Sequence, residues 1–215
     1  MAQSDAKLQA VLNAMDRAQQ NFRSAEADFV WGVYTAVVQE TDIQKGKVYY
    51  RRQGNEIQMA LEVSDPTPKF VLLMGGRLQF FEPRVNRVTV YDTEKNQAAF
   101  ESFLALGFGG GGHSMEKSYE IRYQGAEKVD GMETDKLELA PKNEKVKNMF
   151  PRILLWIDPA RGISVQQQLF QQDGDYRLAK YSDIQLNRKL PDSAFKLKTD
   201  SKTVVQGSAG EDAPK

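Results

Sequence analysis

The residues that could carry chemistry are few, and the single histidine comes first among them. His113 follows a glycine-rich run at residues 107–112, and Ser114 comes directly after it. A Ser–His–Asp triad would depend entirely on this histidine acting as general base. Catalysis needs a histidine held in a fixed geometry, whereas a lone histidine on a glycine-rich loop predicts a solvated side chain. We therefore expect no catalytic residue here and a protein that is not an enzyme.

The glycine run could also suggest a phosphate-binding loop. Such a loop needs lysine and then serine or threonine directly after its last glycine, and here His113 takes the place of the lysine. The alternative is a flexible connector after a helix, which is also what a movable lid requires. Glu56 and Glu62 could form an acid–base pair, since their separation cannot be read from sequence, but both lie on the polar side of a predicted strand. The basic stretch at Lys142 and Lys145 is interleaved with Glu144 and predicts a solvated loop.

Composition excludes further classes of function. The 215 residues include no cysteine, which excludes thiolate metal sites, iron–sulfur clusters and cysteine nucleophiles. The 29 basic and 29 acidic side chains balance, which argues against a nucleic-acid partner. The sequence predicts neither a metal nor a cofactor.

The apolar runs of the sequence are short. The longest, at residues 70–74 and 153–157, are the length of a strand, so no transmembrane segment is predicted. The start at Met1 lacks the basic and apolar regions of a signal peptide. It fits a native cytoplasmic start or a mature exported chain with its signal removed, and composition does not decide between them.

Hydrophobic periodicity predicts a mainly β protein. Residues 8–22 have helical spacing, and so do residues 93–106, which contain Phe100, Phe103 and Leu104. About ten strands with regular turn signals lie elsewhere, the last a short edge strand at residues 195–198, and they favour a large, curved antiparallel sheet or barrel. We expect one domain over residues 1–206 and a disordered tail at residues 207–215.

Large apolar side chains are numerous for a sheet with two helices. Each of them, taken singly, fits ordinary core packing. Together they favour a lipid-sized cavity between a curved sheet and its helices. The residues predicted to line this cavity are Trp31, Ile57, Met59, Leu61, Phe80, Phe100, Phe103 and Leu104.

The order of motifs resembles a known family. The segment GKVYYRR at residues 46–52 is followed by an alternating strand and then by a glycine-turn hairpin that ends in FFEP at residues 80–83. The second half adds LELAPK at residues 137–142 and SDIQLN at residues 182–187. In this order, over about residues 5–205, the sequence resembles the periplasmic outer-membrane lipoprotein carrier family, LolA.

The resemblance implies a fold and a function. The fold would be α+β but mainly β, an unclosed and strongly curved antiparallel β-barrel covered by helices, with an apolar cavity. The protein would be a monomeric periplasmic carrier, its export signal removed, that receives lipoprotein acyl chains from an inner-membrane release complex and passes them to an outer-membrane receptor. A strand arginine latches the lid in this family, and Arg52 matches it best, although Arg51 leaves the register open by one residue. We expect the lid to be the helix at residues 93–106, hinged at Gly107, Gly109 and Gly112.

A second interpretation stays open. Related folds serve as sensing or scaffold domains in envelope-stress regulation, where they bind a partner protein. A carrier and a scaffold would differ in whether lipid is retained in the purified protein.

Overall fold

A computed structural model describes residues 2–54, 56–92, 106 and 108–207. The chain begins with helix α1, Ala2–Asn21. Its apolar positions Val11, Leu12 and Met15 are all less than 5% exposed, as expected for an amphipathic helix with one face against a core. The predicted N-terminal helix is confirmed.

Twelve strands make up most of the rest of the described chain. They are β1 Ser24–Thr35, β2 Glu40–Gln53, β3 Glu56–Asp65, β4 Lys69–Met74, β5 Arg77–Glu82, β6 Arg87–Asp92, β7 Tyr119–Val129, β8 Met132–Pro141, β9 Arg152–Asp158, β10 Ile163–Phe170, β11 Tyr176–Leu186 and β12 Val204–Gly207. The short helices are α2 Gly112–Met115 and α3 Glu144–Met149, with 3-10 helices at Pro83–Val85 and Asp192–Phe195.

The strands form one sheet in the order β12-β6-β5-β4-β3-β2-β1-β11-β10-β9-β8-β7. The pairs from β2 to β6 and from β7 to β11 are antiparallel, and β12 lies parallel to β6. Since β12 and β7 stand at the two ends of this order, the sheet is not closed. The predicted mainly β, antiparallel and unclosed fold is confirmed.

The chain forms two compact units. Unit 1 comprises residues 1–22, 30–43 and 101–182, and unit 2 comprises residues 23–29, 44–100 and 183–215. The single domain predicted over residues 1–206 stays a prediction.

Unit 1 contains an apolar core built by α1 and the sheet. Val11 and Met15 of α1 belong to one buried cluster with Leu139, Ile153 and Leu155 of the sheet. Leu106, the one described residue of the predicted second helix, is 2% exposed in this cluster. Helix α1 thus shields one face of strands β8–β10 from water.

In unit 2, the C-terminal segment at residues 187–198 crosses one face of the sheet. Phe195 is 2% exposed and packs with Ala60 and Leu72. This burial explains why the predicted edge strand at residues 195–198 is wrong: Phe195 closes a 3-10 helix and serves as an anchor instead.

The edge strand of unit 2 lies further along the chain, at Val204–Gly207. A network at its start joins it to the turn before β6, where the Asn86 side chain donates to Asp200 at 3.0 Å and accepts from Thr203 at 2.8 Å. Gly207, the first residue of the predicted tail, ends this strand. The remaining tail residues, 208–215, lie outside the described residues.

Candidate functional site

Four of the predicted cavity residues share one face of the unit 2 sheet. Directly opposed residues of antiparallel strands project to the same side. Met59 of β3 pairs with Leu73 of β4, and Leu61 pairs with Val71, which in turn pairs with Phe80 of β5. Ile57 joins them through the two-residue period of β3. With Leu78 and Tyr91, which continue the register across β5 and β6, these residues form what we call the apolar face: Ile57, Met59, Leu61, Val71, Leu73, Leu78, Phe80 and Tyr91.

The apolar face is only partly covered. Leu73 and Leu78 are buried at 7% and 4% exposure, whereas Ile57, Met59 and the other members are half-buried. The Phe80 and Tyr91 rings meet edge to face with their centroids 5.6 Å apart. A half-buried, contiguous apolar surface of this kind is suited to binding an apolar ligand.

The opposite face of β3 is occupied by the C-terminal segment. The sequence pattern predicts a mostly polar, solvated face there, but Gln58 and Ala60 are each 5% exposed. Glu62 is half-buried, and the Glu56 carboxylate accepts from the Gly75 backbone N–H. Both faces of this strand are therefore used in packing, and the two glutamates form no acid–base pair in the described contacts.

A small cavity lies between strands β2–β4 and the C-terminal segment. Its volume is about 120 Å³, and Tyr49, Glu62 and Lys198 are among the residues lining it. Burial, followed by the charges of Glu26 and Glu62, raises the pKa of Tyr49. The volume is well below the roughly 300 Å³ at which ligand pockets begin, so this cavity does not fit an acyl chain.

The arginine pair at the end of β2 divides between the two faces. Arg51 pairs with Gln58, and Arg52 pairs with Ile57 at the end of the apolar face. Arg51 holds the C-terminal segment: its Nε donates to Gln58 Oε1 at 2.7 Å, its Nη1 lies 2.7 Å from Asp192 Oδ1, and its guanidinium carbon lies 4.0 Å from the Phe195 ring centroid. The Arg52 side chain is exposed. The register thus puts Arg52, and not Arg51, on the side of the predicted cavity, and its latch role stays a prediction.

Other predicted residues lie elsewhere in the chain. Trp31 is half-buried in β1 and belongs to unit 1. Phe100, Phe103, Leu104 and Gly107 lie outside the described residues.

The glycine loop packs closely against helix α1. Gly109 has a φ of +87°, and a Cβ added to it would lie 2.7 Å from the Phe22 ring. A Cβ on Gly112 would lie 2.4 Å from the carbonyl oxygen of Leu12. These glycines are needed for close approach to α1 and to Phe22 directly after it, unlike those of a solvated connector, and their role as hinges stays a prediction.

His113 is held in place, contrary to the poorly held histidine expected from sequence, and its side chain is 40% exposed. Its backbone N–H donates to Asp16 Oδ1 at 3.1 Å, its Nδ1 bonds to the other Asp16 oxygen, and its Nε2 lies 3.0 Å from Gln9 Oε1. The Ser114 hydroxyl donates to the Gly111 carbonyl at 2.8 Å. Asp16 and His113 therefore fasten the glycine loop to α1, and the serine hydroxyl is directed at the backbone.

Two other kinds of site are absent from the described ranges. No group of three or more histidine, cysteine or acidic side chains there could hold a metal ion. Among those same residues, no helix is both long and apolar enough to cross a membrane.

The fold is shared with several solved structures. An uncharacterized conserved protein from Thermus thermophilus is similar with a TM-score of 0.60 and 11% identity, over 93% of this chain and 98% of that chain. MucB is similar with a TM-score of 0.58 and 14% identity, over 93% of this chain and 66% of that chain. In the MucA/MucB complex of Pseudomonas aeruginosa the TM-score is 0.53 and the identity 13%, over 89% of this chain and 61% of that chain. This chain thus spans less than two thirds of MucB, and identities this low establish the fold alone.

Among curated proteins, none matches the sequence significantly. A family model does: that of the outer membrane lipoprotein carrier protein LolA matches residues 20–198. Since this match takes in most of the chain, the protein belongs to the outer membrane lipoprotein carrier protein family, LolA.

Proposed function

We propose that this protein binds the acyl chains of lipoproteins, or of a related lipid, on the apolar face of unit 2 and carries them through the periplasm from the inner to the outer membrane. The observation that carries the proposal is that face, on which Ile57, Met59, Leu61 and Phe80 stand in register and half-buried. The family match supports a carrier. The proposed activity is binding and release by a monomer, with no catalytic step.

The strength of such binding follows from the area removed from water. Each buried methylene contributes about 0.8 kcal/mol, so about ten methylenes of one chain give roughly 8 kcal/mol before ordering costs. Loss of translational freedom and ordering of side chains offset much of this. One acyl chain therefore gives an affinity that a receptor can reverse, which a carrier requires.

A lid would weaken binding further and make release easier. We propose that residues 93–106, with Phe100, Phe103 and Leu104, cover the apolar face, that Gly107, Gly109 and Gly112 are the hinge, and that Arg52 latches the closed form. The position of Arg52 opposite Ile57, at the end of the face, supports the latch. If the empty protein prefers the closed form, binding must first break those contacts, which lowers the apparent affinity.

The experiment that tests the proposal is the substitution Met59→Glu. The added carboxyl group would have to be desolvated beneath an acyl chain, which costs at least roughly 1–3 kcal/mol even in its neutral form, so we expect a fluorescent fatty-acyl probe to bind at least about 5-fold more weakly. Val85→Glu is the matched control, because Val85 is 53% exposed in a 3-10 helix outside the apolar face.

Circular dichroism on both variants checks that they are folded. If Met59→Glu does not fold, Phe80→Gln tests the same face without adding a charge. Full probe affinity in a folded variant of the apolar face would contradict the proposal.

The inner-membrane release complex and the outer-membrane receptor are the proposed protein partners. The alternative is a periplasmic sensing or scaffold domain that binds a partner protein, for which the structural similarity to MucB supports the fold only. Native mass spectrometry after mild extraction separates the two, since a carrier should retain lipid and a scaffold domain should not.

A further inference from the structure

Four exposed basic residues from three separate segments meet at one place in unit 2. Backbone hydrogen bonds join the segments: the Arg52 N–H donates to the Arg23 carbonyl at 2.8 Å, and the Asn187 N–H donates to the Ser24 carbonyl at 2.8 Å. The Ser24 hydroxyl donates to the Arg188 carbonyl at 2.5 Å. We call the resulting group of Arg23, Arg52, Arg188 and Lys189 the basic junction.

Asn187 fixes the geometry of this junction. Its φ of +59° turns the chain at the end of β11, and its side-chain oxygen accepts from the Arg23 N–H at 2.8 Å. Because these bonds use backbone atoms of Arg23, Arg52 and Arg188, the charged ends of the side chains take no part in them. All four basic side chains are exposed.

Three of the four charges of the junction belong to none of the ion pairs among the described residues. Within residues 2–54, 56–92, 106 and 108–207, the ion pairs include none made by Arg23, Arg188 or Lys189. Two acids that lie within four positions of junction residues along the chain have other partners, since Asp192 pairs with Arg51 and Glu56 accepts from Gly75 and Gln58. A chain with zero formal net charge thus has a concentrated positive patch here.

We propose that the basic junction docks the protein on a membrane surface of anionic phospholipid. Clustered lysine and arginine side chains are attracted to phosphate headgroups, and each contributes about a fivefold gain in binding. An acidic protein is the less favoured partner, because protein interfaces usually have a buried aromatic or aliphatic anchor, and no large apolar side chain is exposed in the three segments.

The basic junction lies next to one end of the apolar face, which suggests what docking would achieve. Arg52 belongs to the junction and also pairs with Ile57, so the junction adjoins one end of the apolar face. This purpose rests on the proposed function, since docking there would bring that end of the face to the bilayer from which acyl chains come. The docking itself needs no cargo.

Vesicle flotation with the full chain tests the inference. We expect binding to phosphatidylcholine vesicles that contain about one-third phosphatidylglycerol, little binding to pure phosphatidylcholine, and loss of binding as salt rises from about 0.1 M to about 1 M. The double variant Arg23→Gln/Arg188→Gln should bind about 25-fold more weakly. Lys117→Gln/Lys145→Gln, which removes two exposed charges in unit 1, should bind as the wild type does.

Equal binding to neutral vesicles, no vesicle binding at all, or equal weakening in both double variants would overturn the inference. The fatty-acyl probe separates this result from the proposed function. If Arg23→Gln/Arg188→Gln no longer docks on vesicles but binds the probe normally, the inference is supported. If Met59→Glu binds the probe as well as the wild type does, only the proposed function is contradicted.

Discussion

Replacing Arg51 by glutamine should loosen the C-terminal segment at residues 187–198. The substitution removes three contacts of one guanidinium: the hydrogen bond to Gln58, the ion pair with Asp192 and the contact with the Phe195 ring. The hydrogen bond contributes about 0.5–1.5 kcal/mol. The ion pair contributes less than about 1 kcal/mol because Asp192 is 83% exposed. The cation–π contact contributes about 0.5–2 kcal/mol.

Together these contacts predict that Arg51→Gln lowers the free energy of unfolding by about 2–3 kcal/mol. Urea unfolding followed by circular dichroism and tryptophan fluorescence measures this difference. Arg84→Gln, an exposed arginine in the 3-10 helix before β6, is the matched control and should change the free energy by less than about 0.5 kcal/mol. Equal stability of the two variants would refute the role given to Arg51. A double-mutant cycle with Phe195→Leu isolates the ring contact, and its coupling energy should exceed about 0.5 kcal/mol.

Two further predictions concern unit 1. Gly112→Ala should lower the free energy of unfolding by about 1–3 kcal/mol, because its Cβ would meet the Leu12 backbone. Gly207→Ala is the control, because its Cβ would meet open space. Equal thermal stability of the two variants would contradict the close packing at Gly112. Although burial alone would raise it, hydrogen bonds from the Arg161 side chain and from the backbone N–H groups of Ala160 and Arg161 hold the pKa of Asp158 below its usual range. The resulting stabilisation is present above the unfolded-state pKa of about 3.9 and is lost as the pH falls through the lower folded-state value. In Asp158→Asn, the free energy of unfolding should therefore decline less steeply than in the wild type as the pH falls below about 4. The same decline in both proteins would refute this assignment.

The apolar face was predictable from sequence, and its surroundings were not. The alternation of Ile57, Met59 and Leu61 is a local signal that fixes which side chains share a face. The burial of Ala60 depends on Phe195, more than 130 positions away along the chain, and nothing in the local pattern of β3 indicates that contact.

The roles of the glycine loop and of the arginine pair could not be predicted from sequence either, because in both cases the distinguishing contacts come from other parts of the chain. A glycine that gives flexibility and a glycine that allows close packing look alike in sequence, and only the position of Phe22 and Leu12 distinguishes them at Gly109 and Gly112. Arg51 and Arg52 are adjacent, so a shift of one residue exchanges their faces. The pairing with Gln58 and Ile57 settled that register.

The parallel pairing of β12 with β6 has a consequence for the order in which unit 2 is built. Hairpins such as β4–β5 join neighbours in the chain and can form as soon as both strands exist. Val204–Gly207 pairs with the edge of β6 at residues 87–90, and Phe195 covers Ala60 and Leu72, so both contacts wait until residues 195–207, more than 100 positions after their partners, have been synthesised. Until then the face that Phe195 covers and the edge that β12 occupies are open to water and to other chains. Completion of unit 2 is thereby tied to residues 195–207, and a nascent chain that lacks them has an aggregation-prone sheet.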